Sequence, residues 1–254
     1  MVSDRPAADH WQNTIISFES SHQLRSLGVD QPDPPGSQEL AVEHQEFKIR
    51  LANTEDRRES SSMLINKMYS WRGYSTALNN NDPPNKITLV ANMDSYTVGT
   101  MTLCFDSEIG LPADEIYSDK LDELRQQGRK LCEPTKLAID NSVRSKRVFA
   151  SLIHISYIYA HTIHRHTDYV IEVNPRHVTF YKKMLGFKDL GEERVCPRVD
   201  APAVLLRLEL SYMQAQIEKF GGMMGSAVGE RSFYPYFFTR ADEEGITNRL
   251  SRRG

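Results

Sequence analysis

Residues 130–150 read KLCEPTKLAIDNSVRSKRVFA and decide the fold. Leu131, Leu137 and Ile139 predict a strand, but Pro134 inside it has no N–H to give a ladder, so this strand must bulge or splay. Such a break frees backbone groups to bind something. Glu133 stands just before the break, and Arg144, Lys146 and Arg147 stand where a long apolar helix begins. A carboxylate beside a broken strand suits the deprotonation of an amine, and a basic helix start suits a phosphorylated carrier.

Upstream, residues 1–44 are polar and end in Gln31-Pro32-Asp33-Pro34-Pro35-Gly36-Ser37, a composition that resists regular structure. They are expected to form a flexible arm. Phe47, Ile49 and Leu51 alternate with Lys48, Arg50 and Ala52 as a first strand, and Thr54 is placed to cap a helix running to about Tyr69. Asn79 to Pro84 is a loop. Lys86 to Asp94 and Tyr96 to Phe105 predict a hairpin turning at Asp94-Ser95, followed by a charged helix that stops at Gly128.

Downstream, Val148, Leu152, Ile155 and Tyr159 fall at spacings of three and four, with Phe149, Ile153 and Ile163 widening the stripe into a buried helix. Tyr169 to Val173 is a further strand. Asn174-Pro175 then reads as an N-cap with proline at the first helical position, opening a short helix to Gly186. Phe187 to Glu193 and Ala203 to Leu210 complete a mixed sheet with helices on both faces, an α/β (α+β) architecture. The organisation expected is an arm (1–44), one domain (45–220) and a tail (221–254) that docks through its aromatic SFYPYFF segment.

With 254 residues one core is expected, and 31 Lys and Arg against 34 Asp and Glu leave a net charge of −3. No global basic field speaks for nucleic acid. Three scattered cysteines, Cys104, Cys132 and Cys196, suit a reducing cytoplasm rather than a disulfide framework. No run approaches the ~20 apolar residues of a membrane helix, and MVSDRPAADHWQ has no charged end followed by an apolar run, so no integral membrane segment and no export are expected. His154, His161, His164 and His166 lie close together without a carboxylate or cysteine at a ligand interval. They read as surface or packing residues, and no metal site is expected.

Two stretches resemble the GNAT acyltransferases. Leu137 to Ala150 lines up with their strand and pyrophosphate loop, Arg144 remaining while Ser145, Arg147 and Phe149 replace the loop glycines. Val173-Asn174 with Phe180-Tyr181 and Gly186-Phe187 resembles their later motif. Val98-Gly99-Thr100-Met101-Thr102-Leu103, Gly110 to Asp114, Glu133-Pro-Thr135-Lys136-Leu-Ala138 and Val173 to His177 are closer still to the bacterial N-acyl amino acid synthases, relatives of the acyl-homoserine lactone synthases. This likeness covers about residues 45–212. The arginine that the lactone synthases carry after the Val-Gly segment is matched by Thr102, which points away from lactone formation.

The resemblance implies a GNAT-like fold and transfer of a long fatty acyl chain from acyl carrier protein to the amine of an amino acid. The donor is then a phosphopantetheine thioester, with no permanently bound cofactor. Replacing the loop glycines by larger side chains hinders a CoA pyrophosphate, whereas Arg144, Lys146 and Arg147 can meet one phosphate on an acidic carrier. A solvated basic helix start is the plain alternative. Glu133 is assigned as general base, against an ordinary strand carboxylate or a partner of Lys136. Backbone N–H groups of Leu137, Ala138 and Ile139 are candidates for the thioester oxygen.

Tyr181 resembles the GNAT tyrosine that protonates the leaving thiolate, and is equally explained as an aromatic on a buried helix face. Arg57, Trp71 and Tyr74 lie in the region that roofs the acceptor pocket of the lactone synthases. With Lys136, Arg176 and His177 they are assigned to substrate binding, although Asn174 to His177 also make sense simply as a helix start. No cysteine has a His and carboxylate pattern beside it, so direct attack is expected rather than an acyl-enzyme. The rival readings are an acetyl-CoA-dependent N-acetyltransferase and a catalytically silent acyl-binding module.

Overall fold

The computed structural model describes residues 14–20, 45–70, 85–140, 143, 145–227 and 229–252. Nine strands among them share one sheet: β1 (Thr14–Ser20), β2 (Gln45–Leu51), β3 (Lys86–Met93), β4 (Tyr96–Phe105), β5 (Leu131–Ile139), β6 (Asp168–Val173), β7 (Lys188–Asp189), β8 (Arg194–Cys196) and β9 (Ala201–Glu209). Their order is β1-β2-β3-β4-β5-β6-β9-β7, with β8 pairing to β9. Among the described strands only the β5–β6 pair is parallel.

Each helix has a local cause. Thr54 immediately precedes α1 (Glu55–Ser70), whose Leu64 and Met68 pack on Ala138. Gly128, at φ 74°, follows α2 (Asp114–Gln126). Helix α3 (Lys146–Tyr157) starts where the Ser145 hydroxyl accepts from the Val148 amide, and continues as a π-helical segment, Ile158–Ile163. Asn174 caps α4 (Pro175–Leu185), with Pro175 in its first turn and Gly186 left-handed at its end. The main core lies between the sheet and α3, which is buried from Val148 to Tyr157.

Four regions depart from the sequence reading. Residues 14–20, taken as part of a flexible arm, form β1 and pair with β2, because Ile15 and Phe18 find buried positions in the main core. The strand expected over Phe187–Glu193 is cut to β7. Gly191 lies so close to the Tyr117 ring that a Cβ there would meet it at 2.8 Å, and β8 takes up the pairing further on. Leu210–Phe220 is a helix, α5, with Leu210, Met213 and Ile217 on its buried face. The charged end of the chain is also helical: α6 (Arg240–Ser251) opens with a capping box between Thr239 and Asp242. Ahead of it, Phe233, Tyr234, Phe237 and Phe238 are buried, with Phe233 4.7 Å from the Phe149 ring centroid.

The break in β5 has two parts. Asp106 donates to Leu131 across the β4–β5 ladder, so by alternation Pro134 faces the β6 side, where its missing N–H removes a rung. Accordingly β5 and β6 pair only at Leu131–Asp168 and Cys132–Tyr169, and then diverge. The bulge follows at Lys136-Leu137, where two residues oppose Met101 and Lys136 takes φ 51°. A left-handed lysine costs about 1–2 kcal/mol relative to an ordinary conformation.

Candidate active site

A cavity of about 520 Å³ opens between the diverging ends of β5 and β6, under α1 and beside α4. Its apolar wall includes Met101, Ile153, Ile171, Phe180, Leu185 and Phe187. Its polar wall includes the bulge residues Thr135 and Lys136, together with Glu172, His177, Tyr181 and Arg198. Sheet alternation sets what reaches it. Leu131 and Val170 pack against the α2 side of the sheet, so Glu133 and Glu172, two residues further along β5 and β6, share that face at the fork.

Glu133 is 1 % exposed and accepts from the Ala113 amide at 2.9 Å. Burial, then the charge of Glu172, push its carboxyl up to about 8, against the Ala113 N–H and Arg198. Glu133 is not itself part of the cavity wall; Glu172 is. The Glu172 side chain is 9 % exposed, and Arg198 donates to its Oε2 while also reaching Glu115 (2.6 Å) and the Pro112 carbonyl. Burial lifts Glu172 to about 7, although Arg198 opposes this. Among the described residues its Oε1 is buried without a hydrogen-bond partner.

The other expected site residues divide. Tyr181, Lys136, His177 and Leu137 line the cavity. Asp140 donates to Val98, so the Ala138 amide is the next committed to β4, whereas that of Ile139 faces the fork. Arg57 binds Asn53 (2.9 Å) at the outer end of α1, and Arg58, one residue on, is the α1 arginine that lines the cavity. Arg176 is exposed on α4, its Nε 3.2 Å from His177 Nε2. Trp71, Tyr74 and Arg144 lie outside the described residues.

The described residues of the basic helix start have partners within the chain. Arg147 donates to the Glu19 carbonyl (3.1 Å) and lies 5.0 Å over the Phe18 ring, while Lys146 is 3.4 Å from the Tyr236 hydroxyl. Phe149 does not obstruct a loop; it is fully buried in the core. Val148 N–H, one of the first-turn amides that would meet a pyrophosphate, is held by Ser145. Cys196 lines the cavity, but burial, with Glu172 nearby, raises its thiol above the ordinary range.

Sequence reasoning missed Glu172, Arg198 and Arg58. A signal for the first was present, since Tyr-Val-Ile-Glu-Val places one carboxylate in a strand otherwise fit for burial on both faces.

A forked mixed sheet with a bulged central strand, an acyl-sized apolar cavity and carboxylates at the fork define an acyltransferase of the GNAT kind. The family model for the N-acyl amino acid synthase FeeM matches residues 60–209, more than half of the chain. The protein belongs to that family. The solved structure of FeeM, an N-acyl amino acid synthase from uncultured soil microbes, is similar at 27% identity and a TM-score of 0.61, covering 66% of this chain and 93% of that one. An N-acetyltransferase from Staphylococcus aureus Mu50 matches at 15% identity and TM-score 0.46 (65% and 98% covered). The AHL synthase LasI matches at 13% and 0.43 (66% and 90%). Comparison with curated proteins gave no match.

Proposed function

We propose that the protein moves a long-chain fatty acyl group from the phosphopantetheine of acyl carrier protein to the amine of an amino acid. The observation that carries this reading is the junction, within one cavity, of a long apolar wall with a carboxylate-bearing fork. Each methylene buried against Ile153, Ile171, Phe180 and Leu185 contributes about 0.8 kcal/mol, which a two-carbon acyl group cannot use. The Ser145 cap on Val148 N–H, at the place where a pyrophosphate would dock, favours a carrier over free CoA.

The acceptor arrives as an ammonium and must lose a proton to attack. Glu133, poised near neutrality by burial, is the general base, reached through Glu172 or one water. The amine nitrogen attacks the thioester carbon, and the amides of Leu137 and Ile139 stabilise the oxyanion. As the tetrahedral intermediate collapses, the C–S bond breaks, the Tyr181 hydroxyl donates a proton to the departing thiolate, and the surplus proton on the nitrogen passes through water to the tyrosinate, which leaves a neutral amide and restores Tyr181. Lys136 meets the acceptor carboxylate. Direct attack agrees with Cys196, whose raised pKa makes it a poor nucleophile.

The test is a donor comparison by mass spectrometry, with acyl carrier protein charged from two to sixteen carbons against the matching acyl-CoA and a panel of amino acids. Efficiency should climb with chain length on the carrier and exceed that of acetyl-CoA by orders of magnitude. A preference for acetyl-CoA would overturn the reading.

A further inference from the structure

We propose that Glu172 seats the acceptor's ammonium: its Oε1 receives the positive amine in the cavity, while Arg198 holds the other carboxylate oxygen. The inference rests on the amine-acylating reading and adds to it the residue that selects and orients the amine.

Three observations support it. Glu172 is the carboxylate in the cavity wall, with Glu133 behind it on the neighbouring strand. Its Oε1 is buried without a hydrogen-bond donor among the described residues, an arrangement that costs about 1–3 kcal/mol and more for a charged group. A transferable N–H from an ammonium supplies that donor.

The third observation is a count of charge. Glu115, Glu133 and Glu172 gather around one guanidinium, that of Arg198, which also binds the Pro112 carbonyl. Arg58, Lys86 and Lys136 also line the cavity, but from α1, β3 and the bulge. None of them is among the charges that act most strongly on Glu133 or Glu172. One cation among three carboxyl groups, of which burial keeps Glu133 and Glu172 partly protonated near neutrality, leaves room for a second that lets both ionise, and it must be small enough to enter the fork. A primary ammonium fits that description. Cationic side chains on the α1 side then favour acceptors that carry a carboxylate as well, which separates an amino acid from a simple amine.

The placement also explains why two carboxylates are present. An ammonium bound to Glu172 lies next to Glu133, and its arrival favours the ionised form of both, so binding of the acceptor itself readies the base.

Calorimetry with n-hexylamine and n-hexanol at pH 7 tests this without turnover. The wild-type protein should bind the ammonium at least tenfold more tightly than the alcohol. Glu172→Gln should abolish that preference, Glu172→Asp should keep part of it, and Glu133→Gln should keep most of it. Arg198→Met, which removes the competing cation, should tighten the amine severalfold. A purely structural Glu172 would not produce that opposite sign. In steady state Glu172→Gln should raise the KM for the amino acid at least tenfold and leave that for the acyl donor within twofold. Equal binding of the two probes, or a preference that survives Glu172→Gln, overturns the assignment. If calorimetry holds but no amino acid is acylated, the proposed reaction fails while the ammonium seat stands.

Discussion

Strand β6 carries two buried carboxylates four residues apart, Asp168 and Glu172, and the protein treats them in opposite ways. Asp168 is 0 % exposed, yet Arg129 Nε (2.6 Å), Arg207 Nε (2.8 Å) and the Thr167 hydroxyl (2.5 Å) all donate to it. Burial alone would raise its pKa, but those donors outweigh burial and hold it below the usual value. Glu172 shares one guanidinium with two competitors and keeps an oxygen without a partner. Where β5 and β6 still pair, the carboxylate is a fastening. Where they have parted, the Glu172 carboxyl and that of Glu133 beside it are lifted toward neutral pH.

The sharpest way to break this contrast is to neutralise both ends. Glu133→Gln should lower kcat by on the order of 10² to 10⁴ at neutral pH, with rate recovering as pH rises and more acceptor is already neutral. Its urea midpoint should not fall, and at neutral pH should rise, because the variant no longer ionises a buried carboxyl. Asp168→Asn should do the reverse, leaving Arg129 and Arg207 underpaired and removing about 2–3 kcal/mol of stability. That lies below the ~3–5 kcal/mol of a fully buried pair broken on one side, since both arginines are about a quarter exposed and Glu209 is near them. A stability loss at Glu133 and a rate loss at Asp168 would invert the comparison.

The pH dependence of stability sharpens it next. Asp168 binds its proton less readily when folded, so its contribution is present above the ordinary carboxylate pKa and is lost as pH falls below about 4. Glu133 and Glu172 bind theirs more readily when folded, with values near 8 and 7. Their contribution is complete below about 4.5 and is lost as pH rises toward 8. Urea midpoints between pH 3.5 and 9 should therefore fall at both ends. The double variant Glu133→Gln, Glu172→Gln should flatten the alkaline decline alone, and an unchanged decline would assign it to other groups.

The smallest effect belongs to the bulge. Lys136→Gly relieves a left-handed backbone but loosens the unfolded chain, so stability should stay within about 1 kcal/mol. The KM for the acceptor should rise because the cation that the bulge contributes to the cavity wall is gone. A bulge that needs lysine for stability would instead show a large drop in melting temperature.

Much of this was legible in the chain. Pro134 announced the fork, because a missing N–H is a property of one residue, and Asn174-Pro175 with Gly186 marked both ends of α4 for the same reason. What could not be read depended on two distant segments meeting. Glu172 matters because β5 diverges beside it, and Arg198 reaches it from the link between β8 and β9. Arg57 and Arg58 differ by one helical step of about 100°, and sequence alone does not say which of them faces the cavity. Arg147 looked free for a carrier until β1 supplied a carbonyl and an aromatic ring.

That last contact has a consequence during synthesis. Phe18 of β1 packs edge-on to Phe238, just ahead of α6, with 6.1 Å between ring centroids. Ribosomes add about 5–20 residues per second, so Phe18 waits roughly 10–40 s before Phe238 has even been made. During that interval β2 lies at the open edge of a nascent sheet, or behind a β1 not yet held from its far side. Chaperones that bind exposed aromatic strands have that time to act, and the segment that carries Phe238 is the one that closes the window.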